Sequence, residues 1–246
     1  MLCPLSLILF KKNSLIGSFL ELRNFVISQL YHKRKSQWNT REKKLALWLF
    51  YKSPALYKYL RSLKFKLPGV RTIQRWLENN NLSTGINNSF FRNLKYKVST
   101  MTEHEKECVL LFDETHIKTC LEYNRKKDVV EGFQDLGELG RSSRVANQVL
   151  VFMVRGLIYK WKLPISFYVS KSITFAGLKE LVILNIKKCF EVCLKIRAIT
   201  CDQGPSNQGL FKLLKITDES PYFTVDDKKI YGLFDVPHLI KNVRNN

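Results

Sequence analysis

Cys108-Val109-Leu110-Leu111-Phe112-Asp113-Glu114 and Ile196-Arg197-Ala198-Ile199-Thr200-Cys201-Asp202-Gln203-Gly204 are two apolar, strand-like runs that each deliver an aspartate into a turn. An apolar run closing on a carboxylate is the pattern of a buried strand that presents an acid at the rim of a sheet. Two such acids, brought together from distant parts of a chain, can hold the pair of divalent cations used in phosphodiester chemistry. Taken singly, each has a plainer explanation, because Asp suits turns and helix caps. Their occurrence together, in this order and in a strongly basic chain, favours the metal reading.

The 246 residues suffice for one large domain or for a small and a medium one, and their composition is that of a globular protein. The net charge of +20 is unevenly spread: residues 1–100 hold 19 Lys and Arg against 3 Asp and Glu, the remainder 22 against 18. A segment that basic repels itself unless a polyanion or counterions offset the charge. Nucleic acid is the usual partner, an anionic membrane surface the alternative, and a merely soluble basic domain the plain explanation. Leu5 to Phe10 is too short for a membrane span and lacks the flanks of a signal peptide, so no membrane association is expected. The six cysteines do not form a disulfide framework. Cys108 and Cys201 read as core residues, Cys189 and Cys193 as helix packing, and a reducing compartment follows.

Residues 1–38 read as an N-terminal helix and basic linker. Leu15, Phe19, Leu22 and Val26 form one apolar stripe whose next heptad positions fall on Gln29 and Lys33, and that stripe suits a packed or dimerising helix. Residues 39–80 read as three short helices: 41–51, a second started by Ser53 and Pro54, and a third after Pro68-Gly69. The third shows Arg71, Thr72, Gln74 and Arg75 on the face opposite its apolar side. Short helices joined by a tight turn, the last one exposing such a face, are what a helix-turn-helix recognition helix needs, since Arg pairs with guanine edges and Gln with adenine edges in the major groove. A small bundle with a solvated basic face is the competing explanation. Residues 81–104 read as a linker, with a boundary near residue 100, and 105–246 as the second domain.

From there the pattern alternates. Strands are expected over 109–112, 128–133 and 145–157 as an antiparallel meander, with another extended piece over 165–169. A helix over 175–192 precedes the strand 196–200, which is expected parallel to the first strand and beside it. A helix capped by Ser206, a strand over 230–234 and a helix begun at Leu239 complete the order. This is the order of an α/β, ribonuclease-H-like mixed sheet with flanking helices, preceded by a small all-helical domain. In such a sheet Asp113 and Asp202 meet, although 89 residues separate them.

The stretches Leu110 to Glu114, Asp128 to Arg144, Cys201 to Asn207 and Phe234 to Lys241 resemble the P-element transposase family, DNA transposases that include the THAP-domain proteins of animals. The resemblance spans roughly residues 40 to 246. It implies a ribonuclease-H-like core with an Asp-Asp-Glu triad binding two Mg²⁺, with Asp113 as first acid and Asp202 as second. It also implies double-stranded DNA (transposon ends) as partner, a homo-oligomer and a nuclear location. Asp235-x-x-His238 matches a motif shared by several eukaryotic transposase families and is expected to support the active site. Read plainly it is a helix start, with Asp235 as cap. Glu114, Asp135 and His116 read as structural or surface residues.

Measured against the family, three parts are expected to be missing: the GTP-binding insertion, the third acid, and the zinc finger, since Cys3 is the sole cysteine before the helices. The expected function is a P-element-like transposase fragment that binds DNA and carries part of a Mg²⁺-dependent cleavage and strand-transfer site. The alternative from another class is a domesticated, non-catalytic DNA-binding or interaction protein. A third reading, a nuclease that borrows its missing ligand from a partner subunit, ranks last.

Overall fold

The structure, a computed structural model, describes residues 15–33, 36–78, 83–125, 128–237 and 240. The chain divides into two compact units, residues 1–81 and 82–246, so the boundary falls well before the one expected near residue 100.

The first unit is helical: α1 (Leu15–Tyr31), α2 (Thr40–Lys52), α3 (Pro54–Ser62) and α4 (Val70–Glu78). Asn39 and Glu42 start α2 with a reciprocal capping box, each side chain accepting the other's backbone N–H. Ser53 serves two helices at once. Its N–H donates to the Leu49 carbonyl and ends α2, while its hydroxyl accepts the Leu56 N–H and starts α3, with Pro54 following. The core is Ala46, Tyr57, Leu67 and Ile73, with Phe25, Phe50, Trp76 and Leu77 packed around it.

Two expectations need correction here. Two positions of the α1 stripe do not pack inside this unit: Leu22 is 60% and Val26 48% exposed, and Phe25 faces the core instead. Gln29, a seam position of that stripe, clasps the backbone of Lys66, accepting its N–H at 2.6 Å and donating to its carbonyl at 3.1 Å. The connection from α3 to α4 is also no tight turn. It spans residues 63–69 and passes through Lys64 in the left-handed region at φ 67°.

The second unit is built on a nine-stranded sheet among the described residues, ordered β10-β11-β9-β2-β7-β8-β5-β6, with β1 added on β8. The strands are β1 (Gly85–Ile86), β2 (Glu107–His116), β5 (Phe133–Asp135), β6 (Arg141–Val145), β7 (Gln148–Gly156), β8 (Lys162–Ser170), β9 (Lys195–Cys201), β10 (Tyr222–Val225) and β11 (Lys228–Phe234). A separate hairpin, β3 (Glu122–Asn124) with β4 (Val129–Glu131), extends from the end of β2. The helices of this unit are α5 (Asn88–Ser99), α6 (Phe175–Glu191) and α7 (Pro205–Leu213).

The stretch expected to be a linker (81–104) is structural. Gly85–Ile86 pairs with β8, and α5 buries Phe90, Phe91, Leu94 and Val98. Asn87 caps α5 by accepting the Phe90 N–H. The antiparallel meander also differs: β2, β7 and β8 are the three adjacent strands, and the 128–133 run is split between the β3–β4 hairpin and β5. Gly132, at φ 107°, stands at that break. Pro164 sits inside β8 where the ladder with β7 shifts register, which accommodates its missing N–H.

Buried side chains of β2, β7 and β8 (Leu110, Phe112, Phe152, Val154, Tyr168) form the core together with Leu178, Leu181, Val182, Ile186 and Cys189 of α6. One polar knot lies inside it: Asn185 accepts the Ser166 hydroxyl at 2.6 Å and donates to the Tyr168 hydroxyl and the Leu181 carbonyl. Cys193, expected on α6 beside Cys189, lies past its end at φ 65° and is exposed.

In the helical unit the hydroxyl of Tyr57, itself fully buried, donates to the buried Pro68 carbonyl at 2.8 Å. Tyr57→Phe leaves that carbonyl without its donor and should lower stability by about 1–3 kcal/mol in chemical denaturation. An unchanged denaturation midpoint would show that water can replace the phenol.

Candidate active site

The crossover through α6 returns the chain beside β2, and β9 pairs with β2 in parallel, Leu111 opposite Thr200. Continued two residues along each strand, this register sets Asp113 opposite Asp202. On the far side of β9, β11 also runs parallel, with Phe234 opposite Cys201. The Asp235 N–H extends that ladder by one bond, donating to the Cys201 carbonyl at 2.8 Å. Asp202 and Asp235 therefore follow the carboxyl ends of β9 and β11, where open α/β sheets bind their ligands, while Asp113 stands beside them within β2, which does not turn there as expected but runs on to His116.

All three line one cleft of about 350 Å³, whose walls include Leu111, Val151, Met153 and Thr200. Leu111, Val151, Met153 and Thr200 are half-buried, on the opposite side of the sheet from the core residues Leu110, Phe112 and Phe152. The cleft is thus a mostly apolar wall with carboxylates at its rim.

Local structure fixes each acid differently. Asp113 is exposed, and its Oδ1 accepts the N–H of Glu114. Asp202 is half-buried, and its Oδ1 accepts both the Gly204 N–H at 3.0 Å and the Asn207 side-chain amide at 2.6 Å. Gly204 caps α7 and Pro205 opens it, so the helix start itself holds the turn that carries Asp202. The Cys201 thiol, directly beneath, is pushed up to about 12 by burial and then by the negative charges of Asp202 and Asp113.

Glu114, expected to be structural and on the opposite face, does alternate with Asp113: it pairs with buried Leu150. It still senses the site, since burial first, and then the charges of Asp202 and Asp113, raise its carboxyl above the usual range. Asp135 is the last residue of β5, ion-paired with Arg141 at 3.1 Å and away from the cleft lining, and His116 is exposed at the end of β2. His238 lies outside the described residues. Among the described residues no group of three His, Cys, Asp or Glu is placed to hold a metal ion.

The donor set does suit Mg²⁺ in part. Asp113 and Asp202 offer hard carboxylate oxygens on an open cleft, and Mg²⁺ characteristically takes one or two carboxylates and keeps several waters. Asn207 is the residue that the sequence pattern did not single out. Its signal was there: it stands three residues past the Gly204 cap, the position from which a side chain reaches back over a helix start.

On α4, Ile73 is buried while Arg71, Gln74 and Arg75 are exposed, and Thr72 is half-buried. Trp76 lies against the core, with the Lys43 ammonium 5.5 Å from its ring centre.

The family model described as TNP-like, RNase H N-terminal domain matches residues 82–215. The transposable element P transposase of Drosophila melanogaster is 28% identical over 221 residues, which covers 87% of this chain and 26% of that protein. The human DNA transposase THAP9 is 24% identical over 231 residues, covering 88% of this chain and 25% of that protein. Among solved structures, the Drosophila P element transposase strand transfer complex superposes with a TM-score of 0.72 at 26% identity, over 94% of this chain and 49% of that one. The chain spans about a quarter of the length of the curated relatives it matches.

The raised thiols give a direct test of the site's packing. Iodoacetamide at pH 8 should modify exposed Cys120 and Cys193 in the native chain and spare Cys108, Cys189 and Cys201. Peptide mapping that finds native Cys201 alkylated would show that the end of β9 is open to solvent.

Proposed function

The chain belongs to the family of the TNP-like RNase H N-terminal domain, and on that premise we propose that it is the DNA-binding and partial catalytic segment of a P-element-like transposase. The observation that carries the reading is the meeting of Asp113, within β2, and Asp202, just past the end of the parallel strand β9, on one cleft in a chain of net charge +20. In this reading Asp113 and Asp202 hold Mg²⁺, and Asp235 and His238 support the site from the neighbouring strand end. Mg²⁺ bound there supplies Lewis-acid stabilisation of a phosphoryl oxygen and a more acidic water. The protein's own contribution is to fix the two carboxylates, wall one side of the site with apolar side chains, and bring the DNA.

Double-stranded DNA is the partner, held through phosphate neutralisation by the basic N-terminal part and read by Arg71, Thr72, Gln74 and Arg75 on α4. A homo-oligomer joined through the exposed Leu22–Val26 face of α1 fits the same reading, as does a nuclear location, where chromosomal DNA is found. GTP dependence belongs to the longer relatives' architecture in this reading, and no residue here is assigned to it.

A second reading is favoured by one observation. Asp113, Asp202 and Asp235 line one cleft without being grouped to hold a single metal ion among the described residues, and a domesticated protein that binds DNA without cutting it uses the same fold. Mg²⁺-dependent nicking of plasmid DNA by the purified chain, lost in Asp202→Ala, is the outcome that makes this segment an enzyme. Salt-dependent DNA binding with no nicking in either protein is the outcome of the second reading.

DNA binding has its own test. Arg71→Ala and Arg75→Ala should each weaken binding to the preferred site by about 1–3 kcal/mol and relax its sequence preference. Unchanged affinity and sequence preference in both variants removes α4 from the interface.

A further inference from the structure

We propose that Asn207 is a positioning residue that makes Asp202 a one-oxygen ligand and so sets the cation preference of the site toward small, water-retaining ions. The inference rests on the metal reading of Asp113 and Asp202 given above and goes beyond it in assigning a role to a residue outside the acidic pair.

Three observations converge on a single atom, Oδ1 of Asp202. The Asn207 side-chain amide donates to it at 2.6 Å, the short end of the hydrogen-bond range. The Gly204 N–H donates to it at 3.0 Å. Glycine at position 204 makes this approach possible, since a Cβ there would lie 3.1 Å from the same oxygen and crowd it. Oδ2 makes no hydrogen bond or ion pair among the described residues. One oxygen of the carboxylate is thereby committed to the protein, and the other is left for a ligand.

Asn207 is suited to this by its place on α7. Pro205 and Ser206 fill the first two helical positions, and the Asn207 N–H is already engaged with the Gly204 carbonyl at 3.0 Å. Its backbone is therefore fixed, and its side chain reaches back over the helix start to the strand end. Neighbouring Gln208 does something different: its amide donates to the Gln203 carbonyl and does not touch Asp202.

Denticity decides which ions fit. Ca²⁺ accepts six to eight oxygens and readily takes a carboxylate through both of them. Mg²⁺ and ions of similar habit demand near-octahedral geometry and take single carboxylate oxygens with waters. A carboxylate with Oδ1 pinned cannot offer both oxygens. Freeing Oδ1 lets the group rotate and chelate, which weakens the fit to the small ion and improves it for Ca²⁺.

The test is metal binding by the full 246-residue chain. Mn²⁺ affinity is read by electron paramagnetic resonance, Ca²⁺ by competition, with melting temperature recorded for each protein. Asn207→Leu keeps approximate shape without the donor, and Asn207→Ala removes the side chain. Each should weaken Mn²⁺ binding by about 10- to 100-fold. Each should also lower the preference for Mn²⁺ over Ca²⁺, while Gln208→Ala changes neither. Asp202→Ala should abolish the site. Loss of melting temperature with the Mn²⁺/Ca²⁺ ratio unchanged means that Asn207 merely stabilises the helix start, and overturns the proposal. Wild-type chain that binds Mn²⁺ no better than Asp202→Ala overturns the metal reading and this proposal with it. Wild-type binding that both Asn207 variants retain overturns this proposal alone.

Discussion

The parallel ladder between β2 and β9 is the constraint on which the second unit depends. Antiparallel neighbours can be joined by a two-residue turn, but a parallel neighbour must be reached by a crossover that carries the chain back along the sheet. Here the return is α6, and its apolar face has to be covered by the same sheet that it serves. Leu178, Leu181, Val182, Ile186 and Cys189 do this against the side of the sheet that holds Leu110, Phe112 and Phe152. With that side occupied, the residues alternating with them (Leu111, Asp113, Val151, Met153) face the cleft. The position of the acids is a consequence of where the helix packs.

The polar groups inside this unit divide into two kinds. Asn185, Ser166 and Tyr168 satisfy one another deep in the core, and burial raises the Tyr168 phenol to about 12, so the knot stays neutral and binds α6 to β8. Asp113 and Asp202 are instead satisfied on one oxygen only, by backbone or by a helix-start amide, and remain open on the other side. A fully satisfied network rigidifies a core, whereas a partly satisfied one at a rim is a place to bind.

Much of this was legible in the sequence because the informative signals were local. The two apolar runs ending on Asp113 and Asp202 contain their own period and length, and the crossover helix between them has a clear apolar face. The Ser53-Pro54 helix start was equally explicit. What was not legible depended on partners far away in the chain. Gly85–Ile86 is only two residues long and is a strand solely because β8 offers an edge. β10 is joined to β11 by Asp226-Asp227, both at positive φ, a tight hairpin without the usual Asn-Gly or Asp-Gly signature. The run 128–133 looked continuous because its residue types suit strands throughout, yet Gly132 divides it between two sheets. In the helical unit, the periodicity of α1 identified a helix correctly but not its buried side, because Phe25 and Gln29 answer to contacts from the 65–66 segment that no local pattern contains.

Ser53 carries a consequence for how the helical unit opens. One residue closes the last turn of α2 with its amide and the first turn of α3 with its hydroxyl, so no spare residue lies between them to absorb fraying at either end. Local opening at such a joint is shared. The amide protons of Ser53 and Leu56 are released to solvent by one motion, and their hydrogen exchange is governed by a single opening free energy. The corner between the two helices therefore behaves as one cooperative element, although the sequence around it reads as two.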